Sequence, residues 1–157
     1  MKRLKIGILT TVIVCMLAGF EATAENTVDS AAKNGPSPVQ ITYRKGEIGP
    51  HGGKVILVDT SGMHGVAVKS EDEPDSMTWD AAVIAVQKYG EGWRLPTIDE
   101  LRLMYEQRKR IGGFDNEDYW SAKEQDVNSA WIQGFRLGDQ DRYNKQSKLK
   151  VRAVRSF

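Results

Sequence analysis

Pro96 followed by Thr97-Ile98-Asp99-Glu100 is the feature that most constrains what this chain can fold into. Thr97 and Glu100 have the spacing of a capping box. In it the Thr hydroxyl accepts from the Glu100 amide, and the Glu carboxylate accepts from the Thr97 amide. Proline cannot continue a preceding helix, and it biases Leu95 towards extended backbone. An extended Trp93-Arg94-Leu95 segment therefore turns into a helix with one defined start. Trp93 and Leu95 then point to one side and Arg94 to the other. Downstream, Leu101, Met104, Tyr105 and Arg108 recur at helical spacing and Gly112-Gly113 stops the run. The spacing predicts one helix from Ile98 to about Ile111.

The start of the chain carries an address. Lys2, Arg3 and Lys5 precede an apolar run from Ile6 to Phe20, and Ala22-Thr23-Ala24 has the A-x-A form of a cleavage site. The run of about 15 residues is shorter than the ~20 that span a bilayer. Residues 1–24 are thus read as a secretory signal, and no membrane span is expected after its cleavage. Val12-Ile13-Val14 before Cys15 lacks the small residues of a lipoprotein signal. The expected location is exported: periplasm, cell surface or extracellular. Removal of the leader takes the formal charge from +1 to about −1 and removes the only cysteine. Disulfide and thiol chemistry are then excluded, and nothing in the charge calls for nucleic acid.

Residues 25–45 read as a tether around Gly35-Pro36-Ser37-Pro38, ending in a short strand candidate from Ile41 to Arg44. The remaining chain, 46–157, reads as one domain. Lys54 to Thr60 is a near-continuous aliphatic run, expected to be a strand buried on both faces. With Val66 to Lys69 and the turn between them it makes a hairpin. A helix from Thr78 to Tyr89 is rich in small apolar residues, which predicts close packing on nearly all sides. After the second helix come three strand candidates: Tyr119 to Ala122, Ala130 to Arg136 and Lys148 to Arg155. In the last, Val151 and Ala153 should be buried, with Lys150 and Arg152 on the opposite face. Hairpin, two helices and three strands predict an α+β fold with mainly antiparallel pairing.

Few residues offer catalytic chemistry. His51 and His64 lie among loop glycines without a second ligand at metal spacing. Asp115-Asn116-Glu117-Asp118 is rich in oxygen but lacks the order of an EF-hand loop. No nucleophile, base and orienting group can be assembled, so the chain is expected not to be an enzyme and to need no cofactor. Trp79, Trp93, Trp120 and Trp131 could stack on sugar, although each lies in or beside an element and reads as core. Trp131 is the least committed, because it precedes a polar turn. From Arg136 to Arg155 seven basic side chains face only Asp139 and Asp141. Trp131, Arg136, Arg142, Lys145, Lys148, Lys150 and Arg152 are the candidate ligand-binding residues. They form either the solvated face of a hairpin or a docking surface for a polyanionic glycan. Arg152 and Arg155 have a further alternative, pairing with core or loop carboxylates.

Several segments resemble the C-terminal domain of the Legionella collagen-like adhesin, the Lcl C-terminal domain family. They include Gly52 to Asp59, Ser61 to Gly65, Thr78 to Ala82, Gly92 to Thr97, Tyr119-Trp120-Ser121, Ala130-Trp131 and Val151 to Arg155. The wider resemblance is to C-type-lectin-like folds, including formylglycine-generating enzymes. It implies paired N- and C-terminal strands, here Lys54 to Thr60 with the C-terminal strand. It also implies an adhesin-like, non-enzymatic binding module whose partner is a glycan or a cell-surface protein. The alternative is a structural or assembly component of a cell-envelope complex. Two departures stand out: Ala122 replaces a common second Ser after Tyr119-Trp120-Ser121, and the collagen-like repeat of the adhesin is absent. The calcium-dependent lectin signature is absent too, as are the cysteines needed for formylglycine chemistry.

Overall fold

The computed structural model describes residues 39–157. The expected signal (1–24) and the tether up to residue 38 lie outside the described residues. Ile41 to Arg44 is not a strand; this segment is held instead by the Tyr43 amide on the Gly62 carbonyl and by Tyr43 packed edge-on against Phe157.

The fold is α+β with two antiparallel sheets. The first contains β1 (Lys54–Val58), β2 (Gly65–Val68), β7 (Val154–Ser156) and β3 (Trp93–Arg94), in the order β1-β2-β7-β3. The second is β4 (Asp118–Glu124), β5 (Ser129–Gly134) and β6 (Gln140–Asn144) in sequence order. The N-terminal hairpin does pair with the C-terminal strand, but through β2, not through Lys54 to Thr60. β1 ends at Val58 and lies at the sheet edge with Leu57 exposed, so it is not the interior strand that its apolar run predicts.

Helix α1 (Trp79–Gln87) buries Ala82 and Val86, while Ile84 is exposed. It packs on one face, so the reading of all-round burial is corrected: small residues permit close approach without requiring it. Helix α2 (Ile98–Glu106) begins at Thr97 with both halves of the capping box formed. The expected single helix breaks at Gln107, and α3 (Arg108–Ile111) follows. The break turns the Gln107 side-chain amide towards β1, where it donates to the Ile56 carbonyl at 3.1 Å.

Two apolar clusters form the core. One joins α2 to the first sheet through Leu101, Met104, Ile56, Val66, Val68 and Val154, with Tyr119 and Phe135. The other joins α1 to the second sheet through Ala82, Val86, Trp120, Ala130 and Ile132, with Val151 and Ala153. Only Val154–Ser156 of the expected C-terminal strand is regular; Leu149 and Lys150 make isolated bridges to Met77 and Tyr119.

Candidate functional site

The basic C-terminal residues divide into two groups. Arg152 is fully buried, correcting its expected place on a solvent face. Its Nε donates to Asp72, one terminal nitrogen donates to the Lys69 and Ser70 carbonyls at 3.0 and 2.9 Å, and the other donates to Gly113. Lys145 is also buried; it pairs with Glu124 and stands 4.6 Å from the centre of the Trp79 ring. Lys150 pairs with Asp115 at 2.7 Å, and that hydrogen bond raises its ammonium pKa. Arg136, Arg142 and Lys148 are exposed. Folding therefore consumes three of the expected cations in internal pairs. The alternative of pairing with a loop carboxylate is the one Arg152 adopts.

Among the candidates the structure brings Trp131 and Arg142 together. Trp131 lies in β5 directly opposite Arg142 of β6, so both side chains share a face. The Arg142 guanidinium is 5.8 Å from the indole centre, and Lys123 Nζ is 5.0 Å from it. Both distances are within the ~6 Å over which a cation is drawn to a ring. The indole Nε1 donates to Gln125 at 3.0 Å, which fixes the plane of the half-buried ring. The sequence reading missed Lys123 and Gln125. A ladder irregularity between Trp120 and Glu124 sets their positions, and no residue type announces it.

A concavity lies between α1 and the segment leading into α2. It has a volume of about 210 Å³ and is lined by Trp79, Val83, Val86, Gln87, Trp93, Arg94, Leu95 and Ala122. Trp79 and Trp93 are half-buried, so of the four tryptophans only Trp120 is wholly core. The Trp79 indole is oriented by its donation to the Ser121 carbonyl at 2.8 Å. Arg94 is held by two 2.7 Å hydrogen bonds to Glu100, the residue that closes the capping box. The Tyr119-Trp120-Ser121 element is structural: the Ser121 hydroxyl donates to the Trp131 carbonyl at 2.7 Å and the Trp120 indole to Met77 at 2.9 Å. A further recess of about 300 Å³ is lined by Thr97, Ile98, Asp99, Ala122 and Lys123.

His51 is exposed in a short 3-10 helix, Pro50–Gly52, and His64 is exposed in the turn between β1 and β2. Among the described residues, no group of three or more His, Cys, Asp or Glu side chains is arranged to hold a metal. No helix among them is long and apolar enough to cross a membrane. Residues 60–155 match the family described as the Lcl C-terminal domain, a span that runs from the β1–β2 turn into β7. No curated protein matches the chain.

Proposed function

The chain belongs to the Lcl C-terminal domain family, and from that premise we propose that it is an exported, adhesin-like binding module without catalytic activity, recognising an acidic glycan. The observation that carries this reading is Trp131, a half-buried indole with Lys123 and Arg142 beside it. An aromatic face offers apolar stacking area to a sugar ring. Lys123 and Arg142, which lie over the ring, supply the donors that a carboxylate or sulfate needs. The exposed Arg136 and Lys148 add positive charge elsewhere in the same C-terminal region. The pairing of β2 with β7 supports a C-type-lectin-like reading of the fold.

Chromatography on immobilised heparin at two salt concentrations tests the proposal. Retention should fall as salt rises, because exposed charge contacts are screened. Trp131→Ala and Arg142→Ala should each elute earlier than the unsubstituted protein. Absence of retention at low salt, together with no signal on a glycan array, would remove the glycan reading.

A second reading is favoured by β6, an edge strand with all five residues exposed. Such an edge can accept a strand from another protein in a cell-envelope assembly. Self-pairing centred on Arg142 would set two guanidinium groups opposite each other, which disfavours a second copy as that partner. A pull-down from an envelope fraction that loses its partner on Arg142→Pro but keeps it on Arg142→Ala would support this reading over the glycan one.

A further inference from the structure

We propose that the surface built from α3 and the turn at residues 44–47 docks on an anionic phospholipid bilayer. It rests on the exported reading above and is independent of the glycan, since this surface lies at the β1 edge of the first sheet and Trp131 lies in the second. Arg44, Lys45, Lys109 and Arg110 are exposed, and none of them enters an ion pair among the described residues. Two contacts bring the helix and the turn together. A Cβ on Gly46 would stand 3.1 Å from Arg110 Cδ, so the Arg110 side chain lies against the turn. Lys54 Nζ donates to the Arg110 and Ile111 carbonyls at 2.8 and 2.9 Å, which places a fifth cation there. Those bonds also satisfy carbonyls at the end of α3, so Lys109 and Arg110 are not needed as caps.

Two carboxylates share this surface. Glu47 accepts from the Arg44 amide at 2.9 Å, and Glu106 lines a recess of about 230 Å³ with Gln107, Lys109 and Arg110. Five cations against these two acids leave a local positive excess. Aliphatic side chains stand beside it. Ile48 bridges to Lys54, and Leu57 lies three residues further along β1; they are 62% and 40% exposed. Cations next to exposed aliphatics match a bilayer surface, where headgroup phosphates meet the charges and the aliphatic groups enter the boundary below them. A polyanionic glycan would meet the charges but would leave Ile48 and Leu57 in water.

Co-sedimentation with vesicles of phosphatidylglycerol and phosphatidylcholine tests the proposal, with pure phosphatidylcholine vesicles for comparison. The unsubstituted protein should bind the mixed vesicles at least about tenfold more tightly than the neutral ones, and salt should shrink that preference. Lys109→Glu combined with Arg110→Glu should abolish the preference. Should that variant fail to melt cooperatively, Lys45→Glu, in the exposed turn, decides the matter and should weaken binding several-fold. Ile48→Ser should weaken binding by an amount that persists at high salt, because the lost contact is apolar. Trp131→Ala should leave vesicle binding unchanged. Equal binding to neutral and anionic vesicles would overturn the proposal, as would a preference that survives the charge reversals or is lost with Trp131. A protein that binds no vesicles, yet loses heparin retention on Lys109→Glu with Arg110→Glu, would assign this surface to a glycan and overturn it too. Heparin retention that depends on Trp131 alone, without vesicle binding, would remove the bilayer surface and leave the glycan reading standing.

Discussion

The carboxylate of Glu100 accepts from the Thr97 amide at 2.7 Å and from both terminal nitrogens of Arg94 at 2.7 Å. Burial alone would raise its pKa, but the hydrogen bonds from Arg94 and Thr97 outweigh this and hold it below the ordinary 4.5. A depressed carboxylate stabilises the fold fully above its unfolded pKa, and that contribution is lost as pH falls through the folded value. The stability gap between the unsubstituted protein and Glu100→Gln should therefore narrow between about pH 7 and about pH 3. Urea midpoints at both pH values check it, and an unchanged gap would show that the carboxylate charge is not linked to folding. The capping box was legible because its partners lie three residues apart. Arg152 was not, because its partners Asp72, Lys69, Ser70 and Gly113 lie 39 to 83 residues away in sequence. A run of basic residues reads the same whether its members end in water or in a carbonyl cage. Arg152→Ala leaves three carbonyls without their donor and the Asp72 carboxylate with the Tyr119 hydroxyl but no cation, and should cost about 3–5 kcal/mol. Arg152→Lys should recover little of this, since one ammonium cannot reproduce the guanidinium fork. Chemical denaturation measures both, and a Lys variant as stable as Arg152 would show that charge alone suffices.

At the scale of elements, the type of each long segment was readable and the partner of each strand was not. Apolar run length marks Lys54 to Val58 as a strand, but its place in the sheet depends on which neighbour reaches β7 first. Gly65 explains why that neighbour is β2. Its amide donates to the Phe157 carbonyl at 2.9 Å and its carbonyl accepts from the Phe157 amide at 3.0 Å. A Cβ on Gly65 would lie 2.8 Å from the Phe157 ring and would overlap the Leu57 carbonyl of β1. Gly65→Ala should therefore loosen the junction of β1, β2 and the C-terminus and lower the melting temperature by several degrees. An Ala variant that melts with the unsubstituted protein would show that the hairpin can yield there. The break between α2 and α3 was hidden for a related reason. Leu101, Met104 and Arg108 keep helical spacing across it, whereas Gln107 leaves helical geometry to reach Ile56 on β1. β6 escaped notice because its residues are all exposed and carry no alternating apolar signal. The site was legible to the same degree: Trp131 and Arg142 stood out by type, while Lys123 and the cleft along α1 depend on a strand irregularity and on two half-buried indoles.

For the whole molecule, the C-terminal segment is the tie between its two layers. The Lys150 carbonyl accepts from the Trp120 amide at 3.1 Å, and the Lys150 amide donates to Asp118 at 3.0 Å, which joins the segment to β4. Val151 and Ala153 enter the core shared by α1 and the second sheet. Val154 enters the core shared by α2 and the first sheet, where β7 lies between β2 and β3. One stretch of chain thus contributes to both clusters and to both sheets. Deleting Val151 to Phe157 would open β2 as an unpaired apolar edge, strip β3 of the strand it pairs with and remove the buried Arg152 from its acceptors. An exposed apolar edge of this kind promotes aggregation. The truncated protein should be insoluble, or should lose both sheets together without a cooperative melt. Circular dichroism and a thermal scan of the soluble fraction provide the check. A soluble truncation that keeps a cooperative transition would mean that the two layers fold without their tie, and that the C-terminal strand is peripheral to this fold.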